Sequence, residues 1–202
     1  MRDASVAAVK RGFDEVEAAR AQEYALLAVL LARAPDTDLL TRLAALAGDA
    51  SPLGLAHGVL AQAATATSAE RVEREFHNLF IGMGRGELLP YGSYYLAGSL
   101  HDRPLAELRT DLSRLGIERA EGHAEPQDHA AMLCDIQAGL IDGRFAAPPD
   151  ADRNIFEKHL APWISRFFAD LEKAQAADFY RCVGTVGRLF TTIETEAFKL
   201  AA

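Results

Sequence analysis

Glu75-Phe76-His77-Asn78-Leu79-Phe80-Ile81-Gly82-Met83-Gly84-Arg85-Gly86-Glu87-Leu88-Leu89-Pro90-Tyr91-Gly92-Ser93-Tyr94-Tyr95 is the most telling stretch of this 202-residue chain. It reads as the end of an amphipathic helix, a loop with three alternating glycines, and a proline that leads into three tyrosines. Turn chemistry accounts for Gly82, Gly84 and Gly86, because glycine adopts positive φ freely and lets another backbone approach closely. It does not account for Pro90, Tyr91, Tyr94 and Tyr95. Aromatic rings gathered beside a loop suggest a surface that grips something apolar. A second dense stretch, Glu125-Pro126-Gln127-Asp128-His129 followed by Met132-Leu133, lies at the start of another helix.

Outward from these stretches helical periodicity dominates, and no period-2 strand stands out. The spacing predicts a helix over about Glu15 to Ala34, with Tyr24, Leu27, Leu30 and Leu31 on one face and Pro35 as its stop. Asp36 or Thr37 can cap a short helix through Leu46, and Ser51-Pro52 opens the next. Thr67-Ser68-Ala69-Glu70 has capping-box spacing for a helix that ends near Phe80. Beyond the glycine loop, Pro104 starts a helix to Leu115 with Gly116 as its C-cap, and Pro126 starts one to Ile141. A helix from Ile155 to about Gln175 is expected to kink or split at Pro162. The last, about Ala177 to Leu200, carries Phe179, Val183, Val186, Phe190 and Ile193 on one stripe. The fold class is all-α, one domain over 1–202. It divides into an N-terminal lobe of about 15–115 and a C-terminal lobe of about 126–200, with Gly116–Glu125 as hinge.

At 50% hydrophobic residues the chain can bury a full core. A net charge of −8 argues against nucleic acid as the main partner, since phosphate binding needs clustered Lys and Arg. The same charge suits attraction of a basic peptide. Cys134 and Cys182 form no CxxC pair, so neither a disulfide framework nor a zinc site is expected. The amino terminus lacks the apolar run of a signal peptide, and no apolar run reaches transmembrane length. A cytoplasmic protein with no stable membrane insertion is expected.

Each chemical constellation has a plain counterpart. The glycine loop lacks the strand-loop-helix context and the Lys-Ser or Lys-Thr of a P-loop, which leaves a tight turn or a loop that lines a peptide site. Asp128-His129 has no HExxH-type spacing, and neighbours on a helix point about 100° apart, which disfavours joint metal ligation. Gly92-Ser93 lacks the elbow of a serine nucleophile. The plain reading puts Glu125 and Asp128 at the positive end of a helix dipole while His129 hydrogen-bonds across to another helix. Tyr24 can pack in the core or line a groove. His159 and Trp163 are i, i+4 neighbours in a stretch that reads as core.

The two dense motifs, in this order, closely resemble the signatures of the TorD/DmsD/NarJ family of cytoplasmic chaperones for molybdenum enzymes. The resemblance extends over about Tyr24 to Phe198 and includes a His-Leu…Trp…Phe pattern at His159, Leu160, Trp163 and Phe167. It implies a non-enzymatic helical protein that binds the twin-arginine leader and apo form of a molybdopterin oxidoreductase subunit, assists cofactor insertion and delays export. Gly84–Tyr91 with Gly116–Gly122 looks like the subgroup associated with formate dehydrogenases; a client of the DMSO reductase family is the broader implication. Some members carry tryptophans after the proline, where this chain has tyrosines throughout.

A leader with a basic start and an apolar middle needs acidic groups beside an apolar groove. Glu75, Glu87, Glu125 and Asp128 are the expected charges. Leu79, Phe80, Tyr91, Tyr94 and Tyr95 are the expected groove, with Tyr24, Gly82, Gly84, Pro90, Ser93 and His129 completing the site. No cofactor is expected beyond weak GTP binding. The alternatives are a weak GTP hydrolase using the glycine loop with Asp128-His129, or an inert helical adaptor between subunits. A monomer or a domain-swapped dimer is expected.

Overall fold

Helix starts in this protein coincide with side chains that can accept from orphan backbone N–H groups. Asp36 Oδ1 accepts from Leu39 N at 2.8 Å and opens α2, Thr37–Ala44. Ser51 Oγ accepts from Gly54 N at 3.0 Å and opens α3, Pro52–Ala66, with proline in the first turn. Both stand where the spacing predicted them. Ahead of them α1 spans Arg2–Ala32, starting well before Glu15. The computed structural model describes residues 2–118 and 125–200, with side chains from residue 15 onward.

Ser68 caps α4, Ala69–Phe76, which ends in a π-helical turn, His77–Ile81, rather than running as α-helix to Phe80. After the glycine loop come α5, Gly92–Ala97, and α6, Arg103–Arg114, the latter capped by Asp102. Helix α7 is Ala130–Ile141. The expected helix over Ile155 to Gln175 is in fact α8, Ala151–Ile155, a π-helical turn over Phe156–Leu160, and α9, Ile164–Lys173. Pro162 sits at the break, where its missing N–H and its ring cannot continue an α-helix. Finally α10 runs Phe179–Leu200, and Ile193 lies half exposed off the buried stripe.

No strand occurs among the described residues; one antiparallel bridge pairs Tyr91 with His129. The fold is all-α. Helix α1 packs on α7, α3 on α10, and α9 on α10. These contacts join the segments before and after the expected hinge, and residues 119–124 of that hinge lie outside the described residues. One hydrophobic cluster includes Tyr24, Leu27, Leu60, Leu79, Leu133, Trp163, Phe167, Phe168 and Tyr180, all without exposed surface. Burying a side chain of this size stabilises by roughly 1.5–3 kcal/mol. Trp163 is held further by its Nε1, which donates to the His159 carbonyl at 2.7 Å. His159, Leu160, Trp163 and Phe167 are therefore core, as their spacing predicted.

Candidate functional site

The glycine loop is a hairpin-like return along the π-helical turn before it. Gly82 has φ of +62°, and a Cβ there would meet the Arg85 carbonyl oxygen at 2.1 Å. A Cβ on Gly86 would meet the Leu79 carbonyl oxygen at 2.6 Å. Glycine is what this close approach requires. The return is fixed by Gly82 N donating to His77 O at 2.7 Å, Glu87 N to Asn78 O at 3.1 Å and Leu88 N to Leu79 O at 2.8 Å. Those amides are committed to the backbone, whereas a phosphate cradle turns its N–H groups outward. Gly84 stands at the open tip beside Met83, which is fully exposed.

The two motifs are joined backbone to backbone. Gly92 N donates to Asp128 O at 2.9 Å, and Ala130 N donates to Pro90 O at 2.8 Å. Asp128, only 3% exposed, accepts from Ser93 N through Oδ2 at 2.8 Å and so caps α5 from a distant part of the chain. His129 Nδ1 accepts from Ala131 N at 3.0 Å and caps its own helix, α7. The expected roles are thus reversed: the histidine caps locally and the aspartate reaches across. The same turn explains why α7 begins at Ala130 and not at Pro126.

Burial pushes the His129 imidazole down to about 4, against the pull of Glu125 and Asp128. A neutral ring suits the lone pair that accepts from Ala131. A histidine whose folded pKa lies below its ordinary 6.5 contributes stability that is complete above pH 6.5 and is lost as pH falls toward 4. We expect the protein to lose on the order of 1–2 kcal/mol between pH 7 and pH 5 from this group. His129→Asn keeps a good N-cap without the titration, so its melting temperature should fall less over that range. Equal acid slopes in both proteins would refute the assignment. His57, raised by its hydrogen bond to Glu23 at 3.0 Å, acts in the opposite sense and loses its contribution as pH rises through its raised pKa.

The joined motifs and α1 enclose a cleft of about 470 Å³. Its apolar walls are Ala28, Val29, Leu31 and Ala32 of α1, Phe76, Phe80 and Ile81 of the π-turn region, Pro90, Ala131 and Met132. Tyr91, His129 and the carboxylates Glu125 and Asp135 supply its polar groups. Tyr91 OH donates to Glu125 Oε2 at 2.6 Å and its ring meets the His129 ring edge-on at 5.0 Å. Burial, followed by Glu125, raises the Tyr91 phenol above its ordinary range, so it stays a donor.

Of the residues singled out from the sequence, Phe80, Pro90, Tyr91, Glu125 and His129 meet in this cleft. Tyr94 and Tyr95 line a neighbouring concavity of about 420 Å³ with Arg85, Glu87, Leu88 and Arg166. There Arg85 donates to Tyr94 OH at 2.9 Å, and Tyr95 stacks on Trp163. Tyr24 is a core residue, not a groove residue: it has no exposed surface, packs on Phe190 and donates to Glu194. Leu79, Ser93 and Asp128 are likewise buried. Glu75 is half-buried and accepts from the backbone N–H groups of Asp178, Phe179 and Tyr180, capping α10. Glu87 accepts from Gln175 N and Ala176 N. Their carboxylates hold the α9–α10 junction by accepting from its backbone N–H groups. Gly82 and Gly84 shape the loop. Sequence reasoning missed Val29, Phe76, Ile81 and Asp135. Val29 lies on the more exposed side of α1 with Gln22, Ala32 and Arg33, so no apolar periodicity in the sequence marked it as a cleft wall.

The fold and cleft define a small helical protein with an apolar cavity edged by carboxylates. The chain belongs to the family described as nitrate reductase delta subunit, whose model matches residues 46–169 and so takes in both motifs. It is 28% identical over 137 residues to chaperone protein TorD of Aliivibrio fischeri, a match covering 63% of each protein. To chaperone protein TorD of Vibrio cholerae it is 26% identical over 125 residues, covering 57% of each. The chain thus spans about three fifths of the length of these relatives. A crystal structure of a candidate redox enzyme maturation protein from Archaeoglobus fulgidus shares the fold, with a TM-score of 0.57 at 20% identity over 85% of this chain and 92% of that one.

Proposed function

We propose that this protein is a maturation chaperone for a molybdenum enzyme, and that its cleft receives the twin-arginine leader of a molybdopterin oxidoreductase subunit. Binding holds the apo subunit for cofactor insertion and delays its export from the cytoplasm. The observation that carries this reading is the convergence of both sequence motifs on one apolar cleft containing Glu125 and Asp135. The chaperone relatives support it, as does the shared fold. A cavity of about 470 Å³ takes a few side chains, so it receives the arginine-to-apolar junction of a leader rather than its whole length. The protein acts by binding, with Asp128 and His129 as fold elements rather than reacting groups. Among the described residues no helix is long and apolar enough to cross a membrane. The proposed form is a monomer or a dimer that exchanges its C-terminal helices.

A synthetic leader of formate dehydrogenase type is expected to bind with roughly micromolar affinity, about −8 kcal/mol. Carboxylates near the surface make association weaker at high salt. Titration calorimetry at two salt concentrations measures both. Absence of binding heat with every twin-arginine leader tried, at low salt and high protein concentration, would overturn the reading.

A further inference from the structure

Asp135 projects from α7 into the cleft, one helical turn beyond Ala131 and Met132. One oxygen of its carboxylate, Oδ1, is already engaged by a guanidinium of the same chain. Arg144 Nη1 and Nη2 each lie 3.1 Å from Asp135 Oδ1, and Nη2 also donates to the Asp135 carbonyl at 3.2 Å. The other edge of that guanidinium is anchored elsewhere: Nε donates to Asp142 Oδ2 at 2.9 Å. Arg144 follows the end of α7 and lies over the Phe145 ring at 5.9 Å. The Arg144 and Asp135 side chains are 47% and 51% exposed.

We infer that Asp135 is the arginine-receiving carboxylate of the cleft and that Arg144 is its intramolecular occupant, displaced when a peptide arginine arrives. This rests on the reading of the cleft as a site for an arginine-bearing apolar peptide. Exposure makes the exchange cheap, since ion pairs this open to water are weak. Arg144 gives up only its Asp135 contacts and retains Asp142. The incoming guanidinium makes the same contacts with Asp135, while neighbouring apolar residues fill the Phe76, Phe80 and Ile81 side. A single lysine cannot match the planar fork it displaces. Selectivity for arginine joined to an apolar run follows, because charge alone gains little by the exchange.

The test uses a synthetic peptide with two adjacent arginines followed by an apolar run, titrated into the full chain at low salt. Arg144→Gln should bind it about three- to fivefold more tightly than wild type, and Arg144→Lys, which keeps the charge, should fall between. Asp135→Asn should weaken binding, and adding Arg144→Gln in that background should give no gain, the signature of coupled residues. A gain of equal size in the Asp135→Asn background would mean a general charge effect and overturn the inference. Wild-type binding that is unchanged or weaker in Arg144→Gln would overturn it while leaving the cleft's function standing. Failure of both wild type and Arg144→Gln to bind would remove the underlying reading as well. Circular dichroism of each variant confirms that the comparison is between folded proteins.

Discussion

Replacing Arg20 by methionine should lower the melting temperature by roughly 6–20 °C. Arg20 Nε and Nη2 each donate to Glu194 at 2.8 Å, Nη1 donates to Glu17 at 2.7 Å, and Nη2 donates to Asp152 at 3.1 Å. One guanidinium therefore ties α1 to α8 and α10. Glu194 is 2% exposed, and its remaining contact is the Tyr24 hydroxyl at 3.1 Å. Methionine keeps the length of the side chain but leaves that carboxylate buried without a cation. Breaking one partner of such a pair costs about 3–5 kcal/mol. In a domain of this size each kcal/mol moves the midpoint by about 2–4 °C. Adding Glu194→Met should recover most of the loss, because a packed apolar pair replaces the orphaned charge. Thermal unfolding followed by circular dichroism is sufficient; a single variant that melts within about 2 °C of wild type would show that the network contributes little.

Asp128→Ala should lower the melting temperature by about 3–12 °C, which follows from a loss of about 1.5–3 kcal/mol for a charged hydrogen bond to a backbone donor. The sequence alone places this residue in the first turn after Pro126, beside exposed N–H groups, where its loss would cost the fold about 0.3–1 kcal/mol and fall mainly on the client. Its burial and its bond to Ser93 N move the damage into the fold. Asp128→Asn retains an acceptor oxygen and should recover much of the stability. Peptide affinity per folded molecule, measured well below the midpoint, should drop less than about fivefold in either variant. Unchanged melting together with abolished peptide binding would reverse this assignment.

The helices were legible wherever their signals are local. Ser51-Pro52 and Asp36 act within one turn of chain, and the Tyr24, Leu27, Leu30 and Leu31 face is a periodic pattern that burial follows directly. Helix α5 was not legible, because Gly92-Ser93-Tyr94-Tyr95 carries no cap of its own and takes one from Asp128. The site divides along the same line. Phe80, Pro90, Tyr91, Glu125 and His129 could be chosen from two motifs alone. The fate of Glu75 and Glu87 could not, because their partners are bare N–H groups about a hundred residues away, which no side-chain pattern announces. Arg20 escaped notice for the same reason, with Glu194 contributed by the far end of the chain.

The bridge between Tyr91 and His129 bears on how such a protein can diverge. Two hydrogen bonds and the Asp128 cap make the segments around Pro90 and Ala130 a single mechanical joint. Transplanting either segment alone into a relative would leave donors and acceptors facing a mismatched partner. Such segments are free to change only together, so, under the function proposed above, a shift in client preference is more readily reached through the walls of the cleft, at Val29, Ile81 or Met132, than through the joint that holds them in place.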